Sequence, residues 1–187
     1  MKKTIFIPIL ATLSFFQLAA QQGFNSNTET QATFIEHEQV FDGEAEFPES
    51  DGWVTDLESV FTATQEAELE TMITDFEEAS THEIALLTLN SFEPYKDVSE
   101  YAASLGNRWE LGKAGSQNGV VLLFSREKNL IHITAGEGVK NALTDKVCQE
   151  IISYTIIPEF QKENYYEGIK LGLQQIMEKL NSGQPND

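Results

Sequence analysis

The stretch Gly112 to Asp145, GKAGSQNGVVLLFSREKNLIHITAGEGVKNALTD, decides how the rest of the chain is read. Two apolar runs, Val120 to Phe124 and Leu130 to Ala135, flank the charged segment Ser125-Arg126-Glu127-Lys128-Asn129, which is the pattern of an antiparallel hairpin. Asn118-Gly119 leads into the first run and Gly136-Glu137-Gly138 leaves the second. Antiparallel pairing sets these two polar loops side by side at one edge of a sheet, which makes that edge the place to look for function.

Upstream of the hairpin, Glu83 to Leu89 (EIALLTL) reads as a short buried strand. Asp97 and Glu100 then have capping-box spacing, and Val98, Tyr101, Ala102, Leu105 and Trp109 mark an amphipathic helix. A strand, a helix and another strand in succession predict a parallel, right-handed crossover, with the hairpin return strand antiparallel. The result is an α/β order around a mixed sheet. Further upstream, Trp53-Val54-Thr55-Asp56 opens the ordered part, followed by a helix capped by Thr62 and Gln65, with Leu69, Met72, Ile73 and Phe76 inside. Its outer face carries Glu66, Glu68, Glu70, Asp75, Glu77 and Glu78, read as a solvated charge run. Downstream, Val139 to Leu143 predicts a short helical turn. Thr144-Asp145 opens a third helix with Val147, Cys148, Ile151, Ile152 and Thr155 inside, which Pro158 is expected to end. Asn164 and Glu167 are the expected cap of a last helix, whose inner side is Tyr165, Ile169, Leu173, Ile176 and Leu180.

The 187 residues provide for one globular domain with tails. Residues 1–20 have the plan of a secretory signal peptide: Lys2 and Lys3, an apolar run, then Ala19 and Ala20. Export to the periplasm or medium is the expectation, with no stable membrane insertion after cleavage, because no later run approaches a bilayer span. Residues 21–52 read as a flexible acidic leader, with Phe47-Pro48 the part suited to fasten onto the folded surface. Residues 53–180 form the domain and 181–187 a polar tail. The formal net charge of −18 makes nucleic acid and anionic membrane surfaces poor partners, and cations or basic proteins better ones. Cys148 is the single cysteine, so the core must hold the domain without an internal disulfide.

Familiar catalytic motifs fail on inspection. Gly106 to Lys113 has the wrong glycine spacing for a phosphate loop and follows a helix, and Ala114 stands where a hydroxyl is required. Gly136-Glu137-Gly138 puts Asn141 at the third glycine of a dinucleotide fingerprint, and no second βα unit follows. No serine sits in a nucleophile elbow, and His37, His82 and His132 are scattered. What remains is oxygen chemistry from Asp56, Asn118, the Gly136-Glu137-Gly138 backbone and Asp145, a ligand type that a hard cation such as Ca²⁺ prefers. Each residue has another employment open to it: Asp56 in a local turn, Asn118-Gly119 as a turn, Asp145 at its helix start.

The succession Val54-Thr55-Asp56, Glu100-Tyr101-Ala102, Trp109-Glu110-Leu111-Gly112, Asn118-Gly119-Val120-Val121-Leu122-Leu123, Gly136-Glu137-Gly138, Leu143-Thr144-Asp145, Ile157-Pro158-Glu159-Phe160 and Tyr165-Tyr166-Glu167-Gly168 resembles the TPM domain family. The resemblance runs from Trp53 to Leu180. It implies a three-layer α/β/α sandwich around a small mixed sheet. The family includes thylakoid lumen proteins linked to photosystem II repair, one with acid phosphatase activity, and many exported bacterial proteins. A divalent cation at acidic loops is the cofactor implied, Ca²⁺ first and Mg²⁺ as the alternative, at Asp56, Asn118 and Asp145, with Glu137 a weaker match between its glycines. Three functions are therefore expected in order: a cation-binding accessory module, which would serve another exported or membrane protein; a metal-assisted acid phosphatase using Asp56 or Asp145; and a metal-free interaction module. Gln117 departs from the acid common before Asn-Gly, as do Lys128-Asn129 and Val139-Lys140 from the family pattern, which removes carboxylates and a positive group useful for phosphoryl transfer.

Overall fold

A computed structural model describes residues 47–112 and 115–183. The expected signal peptide, the leader up to residue 46 and the tail from residue 184 lie outside them. The elements are β1 (Val54–Asp56), α1 (Ala63–Ser80), β2 (Glu83–Thr88), α2 (Val98–Arg108), β3 (Gly119–Ser125), β4 (Leu130–Ala135), a 3₁₀ turn (Glu137–Val139), α3 (Asp145–Ile151), a π-helical turn (Ile152–Ile156), α4 (Ile157–Phe160) and α5 (Tyr165–Ser182). One four-stranded sheet has the order β1-β2-β3-β4. β1 and β3 run parallel to β2, and β4 runs antiparallel to β3.

Helices cover both faces of the sheet, so the sandwich has three layers. Side chains alternate across β3, with Val120, Leu122 and Phe124 entering a large cluster with α1, α3 and α5, while Val121 and Leu123 enter a smaller one under α2. Double-sided burial explains why β2 and β3 read as continuous apolar runs. Phe47 packs on Tyr95 and Tyr101, and Trp109 Nε1–H donates to the Pro48 carbonyl at 2.9 Å. The end of the leader is thereby tied to the outer side of α2.

Helix starts follow the capping residues. Thr62 and Gln65 exchange the reciprocal bonds of a capping box, and Asp97 accepts from the Ser99 N–H at 2.6 Å. Asn164 is a correction: it stands at the N-cap of α5 but its side-chain oxygen accepts no cap bond there, while its Nδ2 donates to Glu159 at 3.2 Å. Pro158 is another. It lies inside α4, since the π turn Ile152–Ile156 widens the preceding backbone and relieves the i−4 clash that a proline ring makes in a regular helix. The same turn replaces Thr155 by the fully buried Ile156 on the inner stripe. α5 also runs two residues into the expected polar tail.

Two carboxylates of the acidic surface tie segments together. Glu70 of α1 accepts from the backbone N–H of Trp53 at 3.0 Å and of Val54 at 2.8 Å, fixing β1 to the helix. Glu58 accepts from the backbone N–H of Arg126 at 2.6 Å and of Glu127 at 3.1 Å, clamping the hairpin turn. The outer face of α1 is therefore only partly a solvated charge run.

Candidate functional site

The two polar loops at the ends of the hairpin meet backbone to backbone. Gly136 N–H donates to the Gly119 carbonyl at 2.9 Å, and Gly138 N–H to the Gln117 carbonyl at 3.1 Å. A Cβ at Gly136 would lie 2.2 Å from the Gln117 oxygen, and one at Gly138 only 1.8 Å from the Ser116 oxygen. Close approach is what these glycines provide, for neither has a positive φ.

Beside this junction a cleft of about 1050 Å³ opens between α2 and the segment running from Gly136 to Gln149. Val121 and Ile133 form part of its floor, with His132 and Thr134 of β4 beside them. Glu110, Glu137 and Asp145 bring carboxylates to it from three separate segments, and Lys140 brings an ammonium, paired with Glu137. The ion pair raises the Lys140 pKa above its ordinary value. Thr144 caps α3 by accepting from the Val147 N–H at 3.3 Å, so Asp145 is released from capping and stands exposed in the first turn.

The other residues expected at this site are elsewhere or already engaged. Asn118 is buried and its Nδ2 donates to the Thr81 carbonyl at 2.6 Å, joining the left-handed C-cap of α1 to the start of β3. Asp56 ends β1 opposite Thr88, at the carboxyl end of the parallel strands, whereas Asn118 precedes Gly119, which pairs with Glu83 at the amino end. The length of β2 separates the two ends by about 16 Å. Asp56 accepts from the Phe61 N–H at 2.8 Å and from the Thr88 hydroxyl. It serves the β1–α1 turn, and the structure does not bring it to Glu137 and Asp145.

His132 and Cys148 also line the cleft. His132 Nε2 lies 2.9 Å from the Thr134 hydroxyl, and burial lowers the histidine pKa against the opposing pull of Asp97 and Asp145. Burial thus favours the neutral form of the ring. Burial, helped by Asp145, pushes the Cys148 thiol up to about 11, which leaves it protonated and unreactive. Among the described residues, no group of three or more His, Cys, Asp or Glu side chains converges to hold a metal ion. Glu110 was not singled out by its chemistry in the sequence; it lines the cleft from just beyond the C-cap of α2, where its φ is 55°.

No curated protein matches the chain. Several solved structures share its fold. The N-terminal domain of a protein from P. gingivalis is 24% identical, with 70% of this chain and 82% of that one covered and a TM-score of 0.63. The BA42 protein of the psychrophilic bacterium Bizionia argentinensis is 21% identical over 69% of this chain and 87% of its own, with a TM-score of 0.59. The N-terminal domain of the cg2496 protein of Corynebacterium glutamicum is 16% identical over 77% and 90%, with a TM-score of 0.55. A family profile described as the TPM domain matches residues 54–179, from the first strand to the penultimate turns of α5. The chain belongs to the TPM domain family.

Proposed function

We propose that this TPM domain is an accessory module that binds a divalent cation at the acidic mouth of the α2–α3 cleft. Glu137 and Asp145 are the ligands, water and backbone carbonyls complete the shell, and Asp56 takes no part. The observation that carries this reading is the capping of α3 by Thr144, which leaves Asp145 exposed on the same cleft as Glu137. Carboxylate oxygens suit a hard cation, Ca²⁺ before Mg²⁺, since Ca²⁺ tolerates irregular geometry and fills its shell with water and backbone carbonyls.

The carboxylates approach the cleft separately, and Glu137 must leave Lys140 to bind an ion. Affinity therefore falls in the weak range of extracellular Ca²⁺ modules, on the order of 10⁻⁴ to 10⁻³ M, which suits an exported protein. The phosphatase alternative, using Asp56 or Asp145, is the second reading: Asp56 is held by the Phe61 N–H and the Thr88 hydroxyl and the cleft's Lys140 is already paired, which leaves Asp145 as its one exposed acid.

The test is a Ca²⁺ and Mg²⁺ titration of the chelator-treated protein followed by amide NMR. Shifts should concentrate at Gly136 to Gly138 and Asp145. Asp145→Asn should weaken binding about tenfold or more, the loss of roughly one charged ligand interaction, while Asp56→Asn leaves it unchanged. No localised shift at millimolar ion, or equal loss in both variants, would refute the reading.

A further inference from the structure

β4 is an edge strand, and the register of the hairpin fixes which of its peptide groups face away from β3. Gly136 donates to Gly119, so that pair is of the hydrogen-bonded kind, and the alternation continues through Thr134, His132 and Leu130. The N–H and C=O groups of Ile131, Ile133 and Ala135 therefore point to the open edge. Among the described residues they have no hydrogen-bond partner. Natural sheets blunt such an edge with charge, proline or a covering segment, and these positions hold Ile, Ile and Ala.

Ile133 and Ala135 lie on the floor of the cleft, α2 forms one wall and the start of α3 the other. The α2 wall presents mainly small side chains to it, Ser99, Ala102, Ala103 and the bare Gly106, with Asn107 near its end. A strand laid beside β4 would complete the sheet and meet a helix on each side. We propose that the cleft is a strand-addition site for an extended basic peptide of another protein, which pairs with Ile131, Ile133 and Ala135 and sets its Lys or Arg side chains against Glu110, Glu137 and Asp145.

Charge selects this occupant. A second copy would bring a net charge of −18 against the same charge. The chain's own leader carries Glu29, Glu36, Glu38, Asp42, Glu44 and Glu46 and no Lys or Arg between Gln21 and Glu46. Both are repelled by an acidic mouth, whereas a basic segment gains from it in association rate and register. Main-chain bonds supply affinity in strand addition and the alternate side chains supply selection. The proposal does not depend on the ion-binding reading and is tested in chelator.

The probe is the acetylated and amidated heptapeptide Lys-Val-Lys-Val-Lys-Val-Lys, titrated into the full chain. The amide protons of Ile131, Ile133 and Ala135 should move downfield and exchange more slowly with solvent. The counterpart with Glu in place of Lys should bind at least about tenfold more weakly, and N-methylation of the central Val should abolish binding. Ala103→Trp, on the exposed wall of α2, should block the cleft while thermal stability is retained. Shifts confined to Glu110, Glu137 and Asp145 would reduce the peptide to diffuse charge attraction and overturn the proposal. So would concentration-dependent shifts at Ile131, Ile133 and Ala135 without peptide, which would assign the edge to a second copy.

Discussion

Replacing Gly138 by alanine adds one methyl group where two loops touch. The new Cβ would sit 1.8 Å from the Ser116 carbonyl oxygen, against ordinary contacts of 3.4–4 Å, so the loops must separate by roughly 1.5 Å. Such a shift breaks the Gly138–Gln117 bond of 3.1 Å and strains the Gly136–Gly119 bond of 2.9 Å. At about 0.5–1.5 kcal/mol each, the two bonds put the expected loss at about 1–3 kcal/mol. For a chain of this size, at about 2–4 °C per kcal/mol, that lowers Tm by roughly 2–12 °C. Gly138 has no positive φ, so the penalty is steric and not one of backbone preference. Gly115→Ala is the control: its φ is 87° and nothing lies within 4 Å of the added methyl, so only conformational strain of about 1–2 kcal/mol applies. Urea unfolding followed by circular dichroism measures both. In Gly138→Ala the Gly136 and Gly138 amides should also lose hydrogen-exchange protection, and in Gly115→Ala they should keep it. A Gly138→Ala loss below about 0.5 kcal/mol with protection intact would refute the stacking of the two loops.

Three other perturbations follow. His82 is 8% exposed, stacks on Phe76, and has an Nδ1 without a partner; burial lowers its pKa from 6.5, so its contribution is present above about 6.5 and is lost as pH falls through the lower folded value. His82→Phe should abolish that part of the acid slope and gain about 1–3 kcal/mol at pH 7, measured as urea midpoints at pH 7 and pH 5; an unchanged slope would exclude His82 as its source. Glu70→Ala strips the acceptor from the Trp53 and Val54 N–H groups and should cost about 1–3 kcal/mol, with loss of exchange protection confined to β1. Thr62→Ala removes the α1 cap and should cost about 1 kcal/mol in the same assay.

The layered fold was legible because its central strands are buried on both faces and its helices carry clear caps. The hairpin between Val120 and Ala135, the parallel crossover through α2 and the cap at Thr62 all follow from local pattern. β1 did not stand out as a strand, since its length of 3 residues is too short for any periodicity to emerge. That gap misplaced Asp56. Once β1 is known to run parallel to β2, its last residue must lie at the carboxyl end of the sheet, away from loops that precede β3. Asn118 and Asp145 illustrate the opposite difficulty, because each had a structural and a ligand role open to it. Only the positions of Thr81 and Thr144 decide that Asn118 is a strut and Asp145 is exposed. Glu58 and Glu70 bind backbone groups many residues distant, a relation that no local window contains.

The π turn at Ile152–Ile156 gives the C-terminal third of the chain a fixed reading frame. One residue fewer there would restore a regular pitch and rotate everything downstream by about 100° relative to α3. Phe160, whose ring centroid is 4.6 Å from that of Phe124, would swing off the sheet. Gly168 and Gly172, where added methyls would lie 2.9 Å from Phe160 and 2.7 Å from Ile156, would lose the neighbours that make their bareness useful. Point substitutions along this segment are thus tolerable wherever volume is conserved, while single-residue insertions and deletions are not.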